Sequence, residues 1–178
     1  MKPYAWAYTV LAHHEGGFVD HSNDPGGATN YGVSLRFLRQ QGIDIDDDGD
    51  IDADDIRAIT PEKSKAIYKE YFWIPSRCHE IKSEMIATKI FDMAVNMGQF
   101  QAYKLVQRAI NEHAGNDVLF VDGLVGPVTI AAINERNRED FLLLMYIRNE
   151  QSEFYTLLVE RSPQLMDFIV GWQRRAAA

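Results

Sequence analysis

One cysteine, Cys78, stands in a chain of 178 residues, so no intrachain disulfide can form and the fold must hold without one. No stretch approaches the ~18 consecutive apolar residues of a membrane span. The N-terminus offers one lysine, then Trp6, Tyr8, His13 and His14, which is not the pattern of a secretory leader. The expectation is a chain made in the cytoplasm, with any outside target reached by export. No basic stripe is present, so nucleic acid is not an expected partner. Repeats and low-complexity linkers are also missing, which leaves the two halves expected to share one core. Several reactive constellations fail on spacing. His13 and His14 have no second histidine at i+4, as a zinc-protease helix would need. Ser22 and Ser34 have no nucleophile-elbow context. Cys78 and His79 are chain neighbours, poor geometry for an ion pair, and read as a bland thiol beside a histidine.

What remains is ordinary for a globular domain: 46% apolar and 25% charged residues. The net charge of −8 is not spread over the chain. Residues 44–55 contain eight aspartates and no lysine or arginine, and without them 18 acidic residues face 18 basic ones. This stretch reads as an EF-hand loop. Asp44, Asp46 and Asp48 stand at positions 1, 3 and 5, Gly49 at the turn, Ile51 at 8, Asp52 at 9 and Asp55 at 12. Calcium is the expected ion because the loop offers only oxygen ligands. Side chains of Asp44, Asp46, Asp48 and Asp55 would bind directly, Asp50 through its carbonyl and Asp52 through water. Aspartate at position 12 reaches less far than the usual glutamate. The pattern resembles dockerin-type calcium loops; read without an ion, it is an acidic surface loop.

Helical signals fill the rest. Tyr4, Tyr8 and Leu11 recur on one face. Ser34 N-caps a short helix ending near Gly42, and residues 53–59 leave the acidic loop. Thr60-Pro61 starts a helix expected to run through Phe72 and stop before Pro75. Its aromatic face is most simply core, although Tyr68, Tyr71 or Trp73 can also line a sugar cleft. Residues 83–97 read as a buried helix capped by Gly98. Further helices cover about 100–113, the stretch from Pro127, residues 139–160, and a last one opened by Ser162-Pro163.

The densest signal is His14-Glu15-Gly16-Gly17-Phe18, followed by Asp24-Pro25-Gly26-Gly27-Ala28-Thr29-Asn30-Tyr31-Gly32. Five glycines fall within residues 16–32, where backbone must take positive φ or pass close to something else. Gly16 and Gly17 would end the first helix and leave Glu15 at the negative end of its dipole. That position favours the protonated acid, which can then serve as a general acid. Read alone, the same residues also fit a structural loop with a solvated glutamate.

Glu-Gly-Gly-Phe followed by Asp-Pro-Gly-Gly-Ala-Thr-Asn-Tyr-Gly-Val closely resembles the start of the glycoside hydrolase family 108 muramidases. The resemblance implies that Glu15 is the catalytic acid. Phe91-Asp92-Met93-Ala94-Val95-Asn96-Met97-Gly98 resembles that family's second signature. Asn96 is there a candidate to bind the substrate's acetamido or hydroxyl groups, or simply a helix-ending residue. Asp122-Gly123-Leu124-Val125-Gly126-Pro127-Val128-Thr129 resembles a turn of small peptidoglycan-binding modules. The ending Phe168-x-x-Gly171-Trp172-x-x-Arg175 is also similar to the family, so the likeness spans nearly the whole chain.

The implied fold is all-α: a lysozyme-like helical domain with an EF-hand-like calcium loop inserted. Residues 1–98 would be the catalytic part and 99–178 a peptidoglycan-binding-like part packed into the same core. The implied activity is cleavage of the β-1,4 bond between N-acetylmuramic acid and N-acetylglucosamine. Asp24, Thr29, Asn30 and Tyr31 become candidate substrate contacts beside Glu15. A second carboxylate is not evident: Asp20 and Asp24 are nearest in sequence, and Asp24 before Pro25 can also just shape the turn. Retention or inversion therefore stays open, as does hydrolysis against transglycosylation. The implied partner is the peptidoglycan glycan strand, reached from the cytoplasm by a phage holin or a secretion route. A non-catalytic wall-binding or secretion-accessory protein is the other reading.

Overall fold

The computed structural model describes residues 3–12 and 28–178. By packing, the chain forms two compact units, residues up to 73 and from 74 onward. The division falls inside the stretch that the sequence assigns to the catalytic part. Among the described residues the architecture is helical, with a single two-stranded sheet.

The first unit is made of short pieces. Helix α1 (Pro3–Ala12) is followed by strands β1 (Thr29–Asn30) and β2 (Val33–Ser34), then α2 (Leu35–Gln41), α3 (Ala53–Ala58) and α4 (Pro61–Tyr68). The strands pair antiparallel, Thr29 with Ser34 and Asn30 with Val33. The two residues between them, Tyr31 (φ 46°) and Gly32 (φ 75°), both have positive φ. That is the type I′ geometry, whose twist matches a hairpin. The glycine was legible as a turn; the hairpin itself was not anticipated.

Caps set most boundaries. The Ser34 hydroxyl accepts from the Phe37 N–H, and α2 ends at Gly42 in the left-handed region. Thr60 caps α4, with Pro61 at the first position. The predicted run through Phe72 is corrected in one respect. The α-helix stops at Tyr68 and widens into a π-turn over Lys69–Trp73. Seven rings line up through this region. Trp73 meets Tyr4, Tyr4 meets Tyr8, Tyr8 meets Tyr68, Tyr68 meets Phe72, and Phe72 and Tyr71 flank Phe37. Tyr68 and Trp73 are buried, so they belong to the core, while Tyr71 and Phe72 are half-buried.

The second unit is built on length. Helices α5 (Glu84–Met97), α6 (Gln99–Ala114), α7 (Pro127–Glu135), α8 (Asp140–Arg161) and α9 (Ile169–Ala177) follow in order. α6 packs on α5 and α8, and α8 on α9. Ile86, Ile90, Phe91, Met93, Leu105, Ile110, Leu143 and Ile147 are essentially inaccessible at that core. Pro163 opens a 3-10 stretch (Pro163–Phe168), and the last α-helix begins only at Ile169. The sequence placed that start six residues too early, because proline at a first helical position does not distinguish the two helix types.

Polar side chains on α6 hold the long connection to α7. The Asn111 amide pairs with the Leu119 backbone in both directions, each bond 2.8 Å. Gln107 donates to Asp122 (2.8 Å) and accepts from the Gly123 N–H (2.7 Å). Gly123 has φ 77°, and a Cβ there would lie 2.6 Å from the Phe100 carbonyl oxygen. The glycine of the module-like turn is thus needed sterically, while Asp122 accepts from the Leu124 N–H at 2.8 Å.

Candidate active site

Glu15, Asp20 and Asp24 lie outside the described residues. The elements on either side of that segment are α1 and the hairpin, and both are anchored on α4. The Tyr4 hydroxyl donates to the Lys65 carbonyl. The Tyr8 hydroxyl donates to Ser64 Oγ (3.0 Å), and Ser64 Oγ donates to the Tyr31 carbonyl (3.0 Å). One buried serine therefore ties the helix that leads into the glycine-rich motif to the turn that closes it. Ser64 was missed in the sequence. The signal was there: Ser64, Ile67 and Tyr68 form one buried face, and a hydroxyl on such a face needs partners.

The other predicted contacts divide. Tyr31 is 39% exposed, at a backbone angle costly for a bulky residue. Thr29 is half-buried on β1. Asn30 is buried, and its amide donates to the carbonyls of Ile56 (3.0 Å) and Ile59 (3.3 Å). Those bonds satisfy carbonyls left open at the end of α3, so the amide hydrogens are already engaged within the fold.

Asn96 is exposed near the end of α5 in the second unit. Its Oδ1 accepts from the Tyr155 hydroxyl (2.6 Å), which itself accepts from Gln151 Nε2 (2.9 Å). Burial pushes the Tyr155 phenol up, so it stays a donor. The Tyr155 ring stacks on Trp172 and Trp172 on Phe168. Nearby, Asp92 pairs with Arg175 at 2.9 Å. The two later family-like motifs thus meet in space, Asp92 with Arg175 and Asn96 through Tyr155 with Trp172.

The acidic loop, residues 44–55, presents only oxygen donors. Its carboxylates fall into two triads, Asp44, Asp46 and Asp48, and Asp50, Asp52 and Asp55, each with oxygens within 4.8 Å of one another. Asp44 accepts from the N–H groups of Asp47 (2.7 Å) and Gly49 (2.9 Å), folding the loop around itself. Gly49 supplies the turn with φ 99°. Asp55 is 1% exposed and accepts from Ile45 (2.5 Å) and Asp52 (2.7 Å), and Asp52 caps α3. Desolvation and then Asp48 raise the Asp46 carboxyl, while Asp48 and Asp52 raise Asp50. An all-oxygen donor set with mutually repelling members fits calcium. Asp55 stands with the second triad, its oxygens engaged by backbone N–H groups.

An all-α chain with a glutamate-glycine-glycine motif after its first helix has the build of a lysozyme-like hydrolase. Residues 8–98 match the glycosyl hydrolase 108 family, and the chain belongs to it. Residues 101–177 match a family described as a predicted peptidoglycan domain. Among solved structures, the fold is similar to that of Brucella abortus SagA, at 25% identity and a TM-score of 0.73. That alignment covers 98% of this chain and 89% of the other. No curated protein matches the chain. The chain is therefore a glycoside hydrolase of a peptidoglycan-degrading family. Among the described residues, no helix is long and apolar enough to cross a membrane.

Proposed function

We propose that the protein is an N-acetylmuramidase that cleaves the β-1,4 bond between N-acetylmuramic acid and N-acetylglucosamine, with Glu15 as general acid. The observation that carries this reading is the family match over residues 8–98, which includes the Glu-Gly-Gly stretch. Glu15 gives its proton to the bridging oxygen as the bond to the anomeric carbon breaks. Positive charge then develops on the sugar ring, and water completes hydrolysis. Asp24, Thr29 and Tyr31 are proposed to orient the substrate or that water. Ser64 acts one step away, by fixing α1 and the hairpin on the same helix.

Glu15→Gln keeps size and polarity but holds no transferable proton. Lysis of purified sacculi, followed by turbidity, should fall roughly 10²–10⁴-fold with an unchanged melting curve. A folded mutant retaining more than about a tenth of the activity would exclude Glu15 as the acid, whereas a folded wild type without lytic activity would favour a wall-binding or secretion-accessory role. Mass spectrometry of the products separates hydrolysis, with reducing muramic ends, from transglycosylation, in which an internal hydroxyl replaces water.

Calcium bound to residues 44–55 is proposed as structural. Asp44, Asp46 and Asp48 would hold it, with Asp50, Asp52 and Asp55 completing the set. The ion would neutralise the loop between α2 and α3 and carry no part of the reaction. Synthesis in the cytoplasm, with access to the wall through a holin or a secretion system as in a prophage lysis enzyme, completes the proposal.

A further inference from the structure

The second unit carries a groove that no motif predicted. It lies between α6 and α8 with a volume of about 400 Å³, and Gln101, Arg108, Glu150, Glu153, Phe154 and Arg161 are among the residues lining it. Its long wall is one face of α8, since residues 150, 153, 154 and 161 recur at helical spacing. At 1.5 Å per residue that wall is about 16 Å long. Charge changes sign along it. Glu150 and Glu153 lie at one end with Arg108 opposite, Phe154 and two leucines fill the middle, and Arg161 closes the far end. Arg108 and Glu150 stand 3.9 Å apart, beyond hydrogen-bond distance. Among the described residues, Glu153 and Arg161 have no side-chain hydrogen bond or ion pair of their own.

These features select a ligand. Both carboxylates disfavour a polyanion. A neutral sugar has no use for separated charges of opposite sign. About 16 Å matches roughly five extended residues, since each spans at most ~3.3–3.6 Å. We infer that the groove binds the stem peptide of peptidoglycan, an extended four- to five-residue chain, with the side-chain ammonium of its diamino acid against Glu150 and Glu153 and its C-terminal carboxylate against Arg161. The small apolar side chains of such a stem would rest on Phe154. Desolvation raises the Glu150 carboxyl, and Arg108 only partly offsets this; an approaching cation would complete the compensation. The inference rests on the peptidoglycan-hydrolase reading and adds a second point of hold, away from the bond that is cut.

The test uses the full chain and an N-acetylated, sugar-free tetrapeptide stem whose one free ammonium is on the side chain of its diamino acid. Titration followed by amide NMR should move resonances around Arg108, Glu150, Glu153 and Arg161. Acetylating the side-chain ammonium should abolish the shifts near Glu150 and Glu153, and amidating the C-terminal carboxylate those near Arg161. Arg161→Ala and Glu150→Gln should each weaken binding about tenfold, the scale of one charge-assisted contact. No shift in the groove at millimolar peptide, equal shifts from a neutral disaccharide, or indifference to both blocked peptides would overturn the inference. The wild-type mapping decides even if a variant fails to fold. Cleavage by the wild-type protein of glycan strands stripped of stems reads the hydrolase reading separately, so either idea can fail alone.

Discussion

The two units solve the same problem with opposite means. In the first, the α-helices run from six to ten residues, too short to stand alone in water. They are held by caps, a chain of aromatic rings and side chains bonded to distant backbone, such as Tyr8 through Ser64 to Tyr31 and Asn30 to Ile56. In the second, α6 has 16 residues and α8 has 22, and interdigitated aliphatic faces carry the packing. The unit holding the glycine-rich motif and the acidic loop is thus fixed at points, and the other along faces. Positive φ occurs in both units, at Tyr31, Gly32, Gly42, Asp47 and Gly49 in the first and at Arg77, Gly98, Gly115 and Gly123 in the second. In the first unit two of these positions, Asp47 and Gly49, shape the loop proposed to hold calcium.

The contrast can be broken first at its glycines. Gly123→Ala must adopt positive φ and also collide with the Phe100 carbonyl, so a loss of about 3 kcal/mol is expected. Gly42→Ala in the first unit meets nothing within 4 Å and should lose only about 1 kcal/mol of backbone strain. Denaturant midpoints for the two variants read this directly, and equal losses would mean that the second unit is packed no more tightly at this turn.

Calcium should act on the first unit. A hundredfold excess over Kd stabilises the folded state by about 2.7 kcal/mol, so millimolar calcium should raise the melting temperature and chelator lower it. Asp44→Ala or Asp48→Ala should erase the response. Wall lysis at low temperature should survive chelation; its loss with the fold intact would tie the ion to the cleft.

In the second unit the sharpest probe is a buried cation. Lys89 is 5% exposed and donates to the carbonyls of Arg175 and Ala176, both at 2.8 Å, at the end of α9. Desolvation holds its pKa down to about 8 from 10.5, against the attraction of Asp92. Between those values the unfolded chain keeps the proton that the folded chain has released. Raising pH through that window should therefore stabilise the wild type relative to Lys89→Met, by about 2 kcal/mol at most. Comparing the two proteins cancels the buried Cys78 thiol, which burial raises and which acts in the opposite direction. A flat difference from pH 8 to 10 would refute the depressed pKa.

A modest effect is expected at Ser64. Ser64→Ala removes the link between Tyr8 and the Tyr31 carbonyl, a loss of about 1–2 kcal/mol. If α1 and the hairpin position the active segment, activity should fall by more than the melting shift explains.

Legibility followed the same division. Ser34, Gly42, Thr60-Pro61 and Gly98 announced helix ends, because capping chemistry is local. Ser83 caps α5, its side chain accepting from the Ile86 N–H, a role its hydroxyl did not announce within the apolar pattern. The hairpin at Tyr31, the π-turn at 69–73 and the 3-10 stretch at Pro163 were not visible, since tertiary contacts decide them. Of the candidate site, the Glu15 motif was plain as a pattern. The commitments of Asn30 to α3 and of Asn96 to Tyr155 depend on partners 26 and 59 residues away, and no spacing rule reaches that far. The burial of Lys89 was not read from the sequence, because the carbonyls it reaches lie 86 and 87 residues away on α9.

Gly98 bears on how such chains can be cut and recombined. Its N–H donates to the Ala94 carbonyl while its own carbonyl accepts from Ala102, so one residue ends α5 and begins α6. The two family matches abut there, one ending at 98 and the other starting at 101. Any exchange of parts at that seam would strand α5 without the helices that cover Ile86, Ile90 and Phe91. The inheritable piece is then larger than either match: whatever lineage supplies the C-terminal helices must bring α5 along, or supply a surface shaped to receive it.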